Sequence, residues 1–408
     1  MTNLPQGWEV KKLGEIGEIV TGSTPSKSNL DFYGKDYPFF KPSDFEQGYF
    51  LENAGNNLSK LGFDKARQLP PKTILVVCIG SLGKVALTRV IGSCNQQINA
   101  IIPHKNIIAE YIYYYCISSK FQSILFSKAP QTTLAILNKT EFSKLEIIYP
   151  KDIKEQERIV GILDESFAKI DESIKILEQD LLNLDELMQS ALQKAFNPLK
   201  DNAKENYKLP QGWEWKNLGE IANTSSGGTP SRNKKEYWEN GNIKWLKSGE
   251  LNDGYIDFIE ENITEEAIKN SSAKIFQKGT LLIAMYGATA GKLGILNLDS
   301  TTNQAICAFL HKDKNIKFLE KFLFYFLFFL RDKIIKDSFG GAQPNINQTY
   351  IKNLQIPLPP IKEQEQITSH LDELSSHVKN LKQNYQAQIK DLQELKNSLL
   401  DKAFKGNL

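Results

Sequence analysis

Apolar residues along this 408-residue chain follow two rhythms, and the change from one to the other happens twice. Up to about residue 150 they come in short runs such as Ile74 to Ile79, bounded by Gly, Pro and Asn; Leu281 to Met285 repeats the pattern in the second half. Such runs predict strands joined by loops. Tyr111 to Cys116 and Phe322 to Leu330 are longer apolar stretches and predict buried helices. After Pro150, and again after Pro359 and Pro360, glycine and proline nearly vanish, and Glu155, Glu157, Glu363 and Glu365 open a helical pattern. Proline ahead of a helix and carboxylates in its first turn suit the positive end of the macrodipole.

In the first long helix Leu163, Phe167, Ile170, Ile174, Leu177, Leu181, Leu184 and Met188 alternate spacings of four and three, the signature of a coiled-coil seam. In the second, Leu371, Leu374, Val378, Leu381, Tyr385, Leu392, Leu395 and Leu399 form a similar seam with Gln388 as its polar interruption. The two seams share a row at Leu163 and Leu371 and then run in different phase. Each helix of about 43 residues would be about 65 Å long at 1.5 Å per residue. One narrow apolar seam on so long a helix requires a partner, and the other helix is the nearest. A rod of this kind would fix the separation of whatever it joins.

The two halves are copies of one unit. Residues 4 to 16, LPQGWEVKKLGEI, and 209 to 221, LPQGWEWKNLGEI, agree at 11 of 13 positions. TGSTPSK (21 to 27) answers SGGTPSR (226 to 232), and FFKPSDFEQGY (39 to 49) answers WLKSGELNDGY (245 to 255). TILVVCIGSLGK (73 to 84) faces TLLIAMYGATAGK (280 to 292), and CNQQINAI (94 to 101) faces TNQAICAF (302 to 309). IKEQERIVGILDE (153 to 165) then faces IKEQEQITSHLDE (361 to 373), and QKAF (193 to 196) faces DKAF (401 to 404). The unit is far longer than a solenoid repeat. It divides the chain into mixed globular parts at 1–152 and 209–360, long helices at 153–197 and 361–408, and a linker at 198–208.

Composition adds little to this picture until it is resolved by segment. Hydrophobic residues at 41% and charged residues at 24% are those of a globular protein, and the net charge is only +2. Residues 1 to 152 carry net +4 and 198 to 360 net +3, while the first long helix carries net −5. The positive surplus therefore lies in the globular parts and allows a few phosphate contacts each. Cys78, Cys94, Cys116 and Cys307 show no metal-ligand spacing, which predicts buried thiols in a reducing compartment. The N-terminus has no apolar signal core and the greasiest run is nine residues, against about 20 for a membrane span. A cytoplasmic protein is expected.

Catalytic signatures are missing where they would be looked for. Gly287-Ala-Thr-Ala-Gly291-Lys292 falls one residue short of a phosphate loop and lacks the following Ser or Thr; Gly80-Ser-Leu-Gly83-Lys84 is shorter still. Both read as tight turns after a strand. There is no Asn-Pro-Pro-aromatic run of an amino-methyltransferase, no nucleophile elbow and no Cys–His pair. His104, His311, His370 and His377 form no ligand cluster, and no metal site is expected.

Two mixed domains, each opening LPxGW, passing through a GxTPS loop and a Gly-x-Gly-Lys turn, and each followed by an IKEQExI helix, resemble the specificity subunit of type I restriction-modification systems. The resemblance spans essentially the whole chain. It implies an α+β fold of two tandem target recognition domains, with the long helices packed as an antiparallel coiled coil. It implies further that each domain reads one half of a split, asymmetric double-stranded DNA site, and that the helices set the spacer and dock two modification (methyltransferase) subunits. Restriction/translocase subunits would join through these. S-adenosylmethionine, ATP and magnesium are then expected on partner subunits and none on this chain. Two different reading heads suit two different half-sites, whereas identical heads would require a palindrome.

Candidate DNA-binding residues follow the repeat. Thr24, Ser26 and Lys27, matched by Thr229, Ser231 and Arg232, are polar loop groups able to bind phosphate or to cap a turn. Lys41, Ser43 and Asp44, matched by Lys247, Ser248 and Glu250, follow aromatic residues and could reach base edges. Lys84 and Lys292 could touch phosphate, and Gln131 and Gln343 lie in polar loops ahead of the long helices. Specificity should reside where the copies differ, and residues shared by the copies are better candidates for scaffold or backbone contact.

Overall fold

The computed structural model describes residues 4–129, 135–196, 209–312, 318–338 and 345–408. The expected linker at 198–208 lies outside the described residues. The chain packs as two compact units, Met1–Glu178 with Tyr385–Leu408, and Gln179–Asn384.

In the first unit β1 (Trp8–Lys12) and β2 (Gly17–Thr21) are followed by β3 (Tyr37–Phe40), β4 (Phe50–Leu51), β5 (Ile74–Val77), β6 (Val85–Thr88), β7 (Ile98–Pro103), helix α1 (Ala109–Ile117) and β8 (Glu146–Pro150). A five-stranded sheet runs β2-β7-β5-β6-β4, antiparallel except for the last pair, where Phe50 lies opposite Leu87. Strand β5 is apolar at every position because both of its faces are covered. Ile74 and Val76 join the core under α1, and Leu75 and Val77 join a second core with Phe40, Leu51 and Ala100. Strand β1 pairs with β8 and so returns the start of the domain to the point where helix α2 (Ile153–Phe196) begins.

The second unit repeats the arrangement with β9 (Glu214–Asn217), β10 (Ala222–Ser226), β11 (Ile243–Leu246), β12 (Gly254–Ile256), β13 (Leu281–Ala284), β14 (Leu293–Leu296), β15 (Ile306–His311), helix α3 (Glu320–Lys336) and β16 (Gln355–Leu358). Its sheet runs β10-β15-β13-β14-β12, and β9 pairs with β16. Leu281 and Ile283 face one core and Leu282 and Ala284 the other, as in β5. Helix α4 (Ile361–Ala403) follows. The stretches expected as buried helices from Tyr111 and Phe322 are α1 and the first half of α3.

The doubled IKEQE and LPQGW segments have a structural reason. Gln156 is fully buried; its Oε1 accepts from Ile108 N at 3.0 Å and its Nε2 donates to Pro150 O at 2.9 Å. Gln364 makes the matching bonds to Leu319 N and Pro359 O, both 2.9 Å. One amide thus ties the first turn of each long helix to two other segments of its domain, the residue just ahead of a buried helix and the end of the preceding strand, and each backbone group it would orphan is worth roughly 1–3 kcal/mol. Tyr114 donates to Asp164 and Tyr325 to Asp372, a second matched tie. In the LPxGW turns Trp8 N donates to Pro5 O at 3.1 Å and Trp213 N to Pro210 O at 3.0 Å.

Each unit contains stretches of both long helices, running in opposite directions. In the first unit Arg158 on α2 reaches Leu408 O beyond the end of α4, and Asp171 further along α2 pairs with Lys396 further back on α4. In the second, Asp185 pairs with Lys382, and Leu192, Phe196 and Leu371 share one core. The phenylalanines of the KAF ends are buried in this way. Phe404 packs edge-on against Tyr111 and Tyr115 of α1, and Phe196 against Phe322 and Phe326 of α3. On the scale of Phe-to-Ala truncations each such ring is worth about 3–5 kcal/mol.

Leu163, Ile170 and Leu184 are buried, and Phe167, Ile174, Leu177, Leu181 and Met188 half-buried, whereas Ile176, Leu182 and Leu187 on the same helix are exposed. The seam of α4 needs correction. Leu371, Leu374, Val378, Tyr385, Leu392 and Leu399 are buried or half-buried, but Leu381 and Leu395 are 39% and 45% exposed. The less exposed row passes through Ser375, Lys382, Ile389 and Lys396 instead. It therefore keeps the phase of α2 throughout, contrary to the divergent phases read from the leucines. Lys382 and Lys396 occupy seam positions because their stems cover apolar surface while their ammonium groups meet Asp185 and Asp171 on the acidic helix. Lys396 also lies 4.8 Å over the Phe167 ring.

All four cysteines are buried. Burial pushes the thiols of Cys78, Cys94 and Cys307 up to about 12, and that of Cys116 also upward. Among the described residues no helix is long and apolar enough to cross a membrane.

Two outcomes are expected. Ile170→Asp should lower stability by several kcal/mol by burying a charge in the seam, while Leu182→Asp, at a 58% exposed position, should stay within about 0.5 kcal/mol; denaturant titration of both variants reads the difference. At pH 8 an alkylating reagent should label none of the four cysteines of the native chain and all four after denaturation, since the thiolate is the reactive form; mass spectrometry reads the count.

Candidate nucleic-acid interface

Three loops meet at one end of each sheet. The GxTPS loop leaves β2 at Gly22, whose N donates to Ile98 O, while Ser23 N donates to Cys94 O. The approach is so close that a Cβ on Gly22 would lie 2.1 Å from Asn95 O; on Gly227 it would lie 2.1 Å from Thr302 O. Only glycine fits. Thr24 Oγ1 then donates to Gln96 Oε1 at 2.5 Å, and Thr229 makes the same bond to Gln304. Gln97 Nε2 donates to Ile79 O at 3.4 Å, joining the Asn-Gln loop to the turn after β5. That turn and its counterpart after β13 are the tight turns expected. Gly80, Gly83, Gly287 and Gly291 all have φ between 81° and 88°, the left-handed region glycine favours.

The candidates divide by how the fold uses them. Asp44 and Glu250 shape turns: Asp44 accepts from Lys41 N at 2.7 Å and Gly55 N at 2.9 Å, and Glu250 from Lys247 N at 2.8 Å and Glu260 N at 3.4 Å. Lys41 bonds Asn56, and Lys84 pairs with Glu46, whose carboxyl it holds below the usual range. Ser26 bonds Ser28 at 2.8 Å, and Ser43 is exposed while Ser248 is half-buried. Lys27 and Lys292 are exposed and carry no ion pair among the described residues. Gln131 and Gln343 lie outside the described residues.

In the second unit the loop carries a larger network. Arg232 NH1 lies 2.7 Å from Glu261 Oε2, and Lys247 Nζ donates to Glu261 Oε1 at 2.8 Å. Burial would raise the Glu261 carboxyl, but the guanidinium and ammonium beside it hold it below the usual carboxylate range, and the same carboxylate holds Lys247 above its usual value. Sequence reading passed over Gln96, Gln304, Arg67 and Glu261. The first two carried a signal, the doubled Asn-Gln pair. Arg67, which donates to Thr21 O at 2.5 Å, and Glu261 reach the site only through folding. Among the described residues no group of three or more His, Cys, Asp or Glu side chains is placed to hold a metal.

Exposed hydroxyl, amide and cationic groups on tightly fixed loops, twice over, suit a polar polyanionic partner better than a small substrate. The family comparison identifies that partner. The model of the type I restriction modification DNA specificity domain matches residues 5–181 and again 210–391. The chain belongs to the type I restriction-modification DNA specificity family. It is similar, at 26% identity over 99% of this chain and 94% of the relative, to the type I restriction enzyme MjaIX specificity subunit of Methanocaldococcus jannaschii. It is 37% identical to the HindI specificity subunit of Haemophilus influenzae over 44% of this chain and 40% of that protein. A chain solved in a study of complex assembly and conformational transition of the type I restriction-modification system shares the fold, with a TM-score of 0.82 at 21% identity and full coverage of both chains. A specificity subunit of this family recognises DNA and is not itself an enzyme; the chemistry of the system belongs to partner subunits.

Each phosphate contact contributes about 0.9 to the slope of log affinity against log salt. Lys27→Ala and Lys292→Ala should each lower the slope measured for the assembled complex by about that amount. An unchanged slope removes that lysine from the interface.

Proposed function

We propose that residues 1–152 and 209–360 are target recognition domains, each reading one half of a split, asymmetric double-stranded DNA site through the loops around Thr24 and Thr229. The helices at 153–197 and 361–408 set the distance between the half-sites and dock two modification subunits, through which restriction/translocase subunits join. S-adenosylmethionine, ATP and magnesium act on those partners, and the chain works in the cytoplasm. One observation carries this reading: the copies agree in the ties at the helix starts, Gln156 with Gln364 and Asp164 with Asp372, and differ in the loop pairs, Lys41–Asn56 against Lys247–Glu261. A common scaffold with divergent tips is what two readers of unlike half-sites require.

The test replaces residues 209–350 with the corresponding domain of another specificity subunit and maps genome methylation by single-molecule sequencing in a host carrying the modification subunit. One half-site should change and the other persist. If both change, the domains do not read independently; if the native chain confers no methylated motif while still binding the modification subunit, a scaffold role replaces recognition.

A further inference from the structure

The two units differ most sharply at one built feature. In the second, the Arg232 guanidinium lies 3.7 Å over the Trp238 ring and 4.9 Å from that of Trp245. Both rings are themselves fixed to the loop that carries Arg232: Trp238 Nε1 donates to Ser231 O at 3.1 Å, and Trp245 Nε1 to Gly228 O at 2.9 Å. NH1 is held by Glu261 at 2.7 Å, and Lys247 occupies the other oxygen of that carboxylate. The two cations thus share the Glu261 carboxylate, and Glu250 and Glu260 also act on Lys247. The Arg232 side chain is 52% exposed, and its Nε and NH2 donors carry no hydrogen bond among the described residues.

The first unit has none of this. At the matching positions stand Lys27, Tyr33, Phe39 and Asn56; the correspondence is secured by Phe39 N donating to Asn56 O where Trp245 N donates to Glu261 O. Tyr33 bonds the loop at Pro25 O, but Asn56 bonds Lys41 and supplies no anion. A phosphate contact needs only a point charge, which Lys27 already has. A planar fork stacked on one face and tied at one nitrogen is a costlier arrangement whose return is direction.

Resting on the recognition function above, we propose that Arg232 is a specificity-determining residue that reads a guanine of the second half-site through its O6 and N7 acceptors in the major groove. Trp238 and Glu261 are positioning residues for that fork. The first domain has no counterpart at this position. A bidentate arginine–guanine pair discriminates by about tenfold to a hundredfold or more against another base.

The experiment uses the complex of the full chain with its modification subunit. Methylation mapping of Arg232→Lys, which keeps the charge, should show a motif relaxed at one G·C position of the second half-site and unaltered in the first. Duplexes carrying the native motif with 7-deazaguanine at that position, which lack N7 but keep O6, should bind the native complex several-fold more weakly, less than loss of the whole bidentate pair would cost, and should not further weaken binding by Arg232→Lys. Glu261→Gln should relax the same position to a smaller extent. An unchanged motif in Arg232→Lys, or an affinity loss equal on all sequences with a reduced salt slope, overturns base reading and leaves a phosphate contact. A native complex that methylates no split motif overturns the recognition function and this proposal with it, and is told apart by the native arm alone.

Discussion

The structure depends on where the two long helices end. Phe404 closes the core beneath α1 and Phe196 the core beneath α3, so each globular part is completed by the far end of a helix that starts from the other. Without those rings, and Leu192 and Leu400 beside them, two fully apolar walls would face water. The antiparallel course of α2 and α4 is therefore built into both hydrophobic cores and does not rest on the seam alone.

The seam itself is thin and mixed. Its occupants on α4 include Ser375 and two lysines; all three contribute less apolar area than leucine, and the lysines meet acidic partners on α2 only in one register. Such pairs add little stability at the surface. Their consequence is selection: shifting either helix by one heptad separates Lys382 from Asp185 and leaves apolar and charged positions misaligned.

Around this frame the repeat has diverged unevenly. Groups whose bonds are internal, such as Gln156 and Gln364, are held constant because a change orphans buried backbone donors and acceptors. Groups at the loop tips are free to change because water replaces whatever they lose. The Arg232 cradle, where the first copy has only an exposed Lys27, shows how far one copy can be rebuilt while the sheet below keeps its strand order.

The repeat, the short apolar strands, the buried helices and the apolar stripe of α2 were legible in the sequence, because each rests on local period or on identity between copies; that the strands are covered on both faces was not. The seam of α4 was misread since a rule that follows leucines cannot know that a lysine stem at 382 or 396 will lie inward when an aspartate waits opposite. The candidate site was legible in part: Thr24, Thr229, Lys27 and Arg232 stand out as loop residues, but their partners Gln96, Gln304 and Glu261 come from strand connections 72, 75 and 29 residues away. Which carboxylate shapes a turn, as Asp44 does, and which balances an arginine, as Glu261 does, depends on distances that arise only when the sheet and loops have closed. Period and repetition are properties of the chain, and were decided by the sequence alone; partnership is a property of three dimensions, and was decided by the fold.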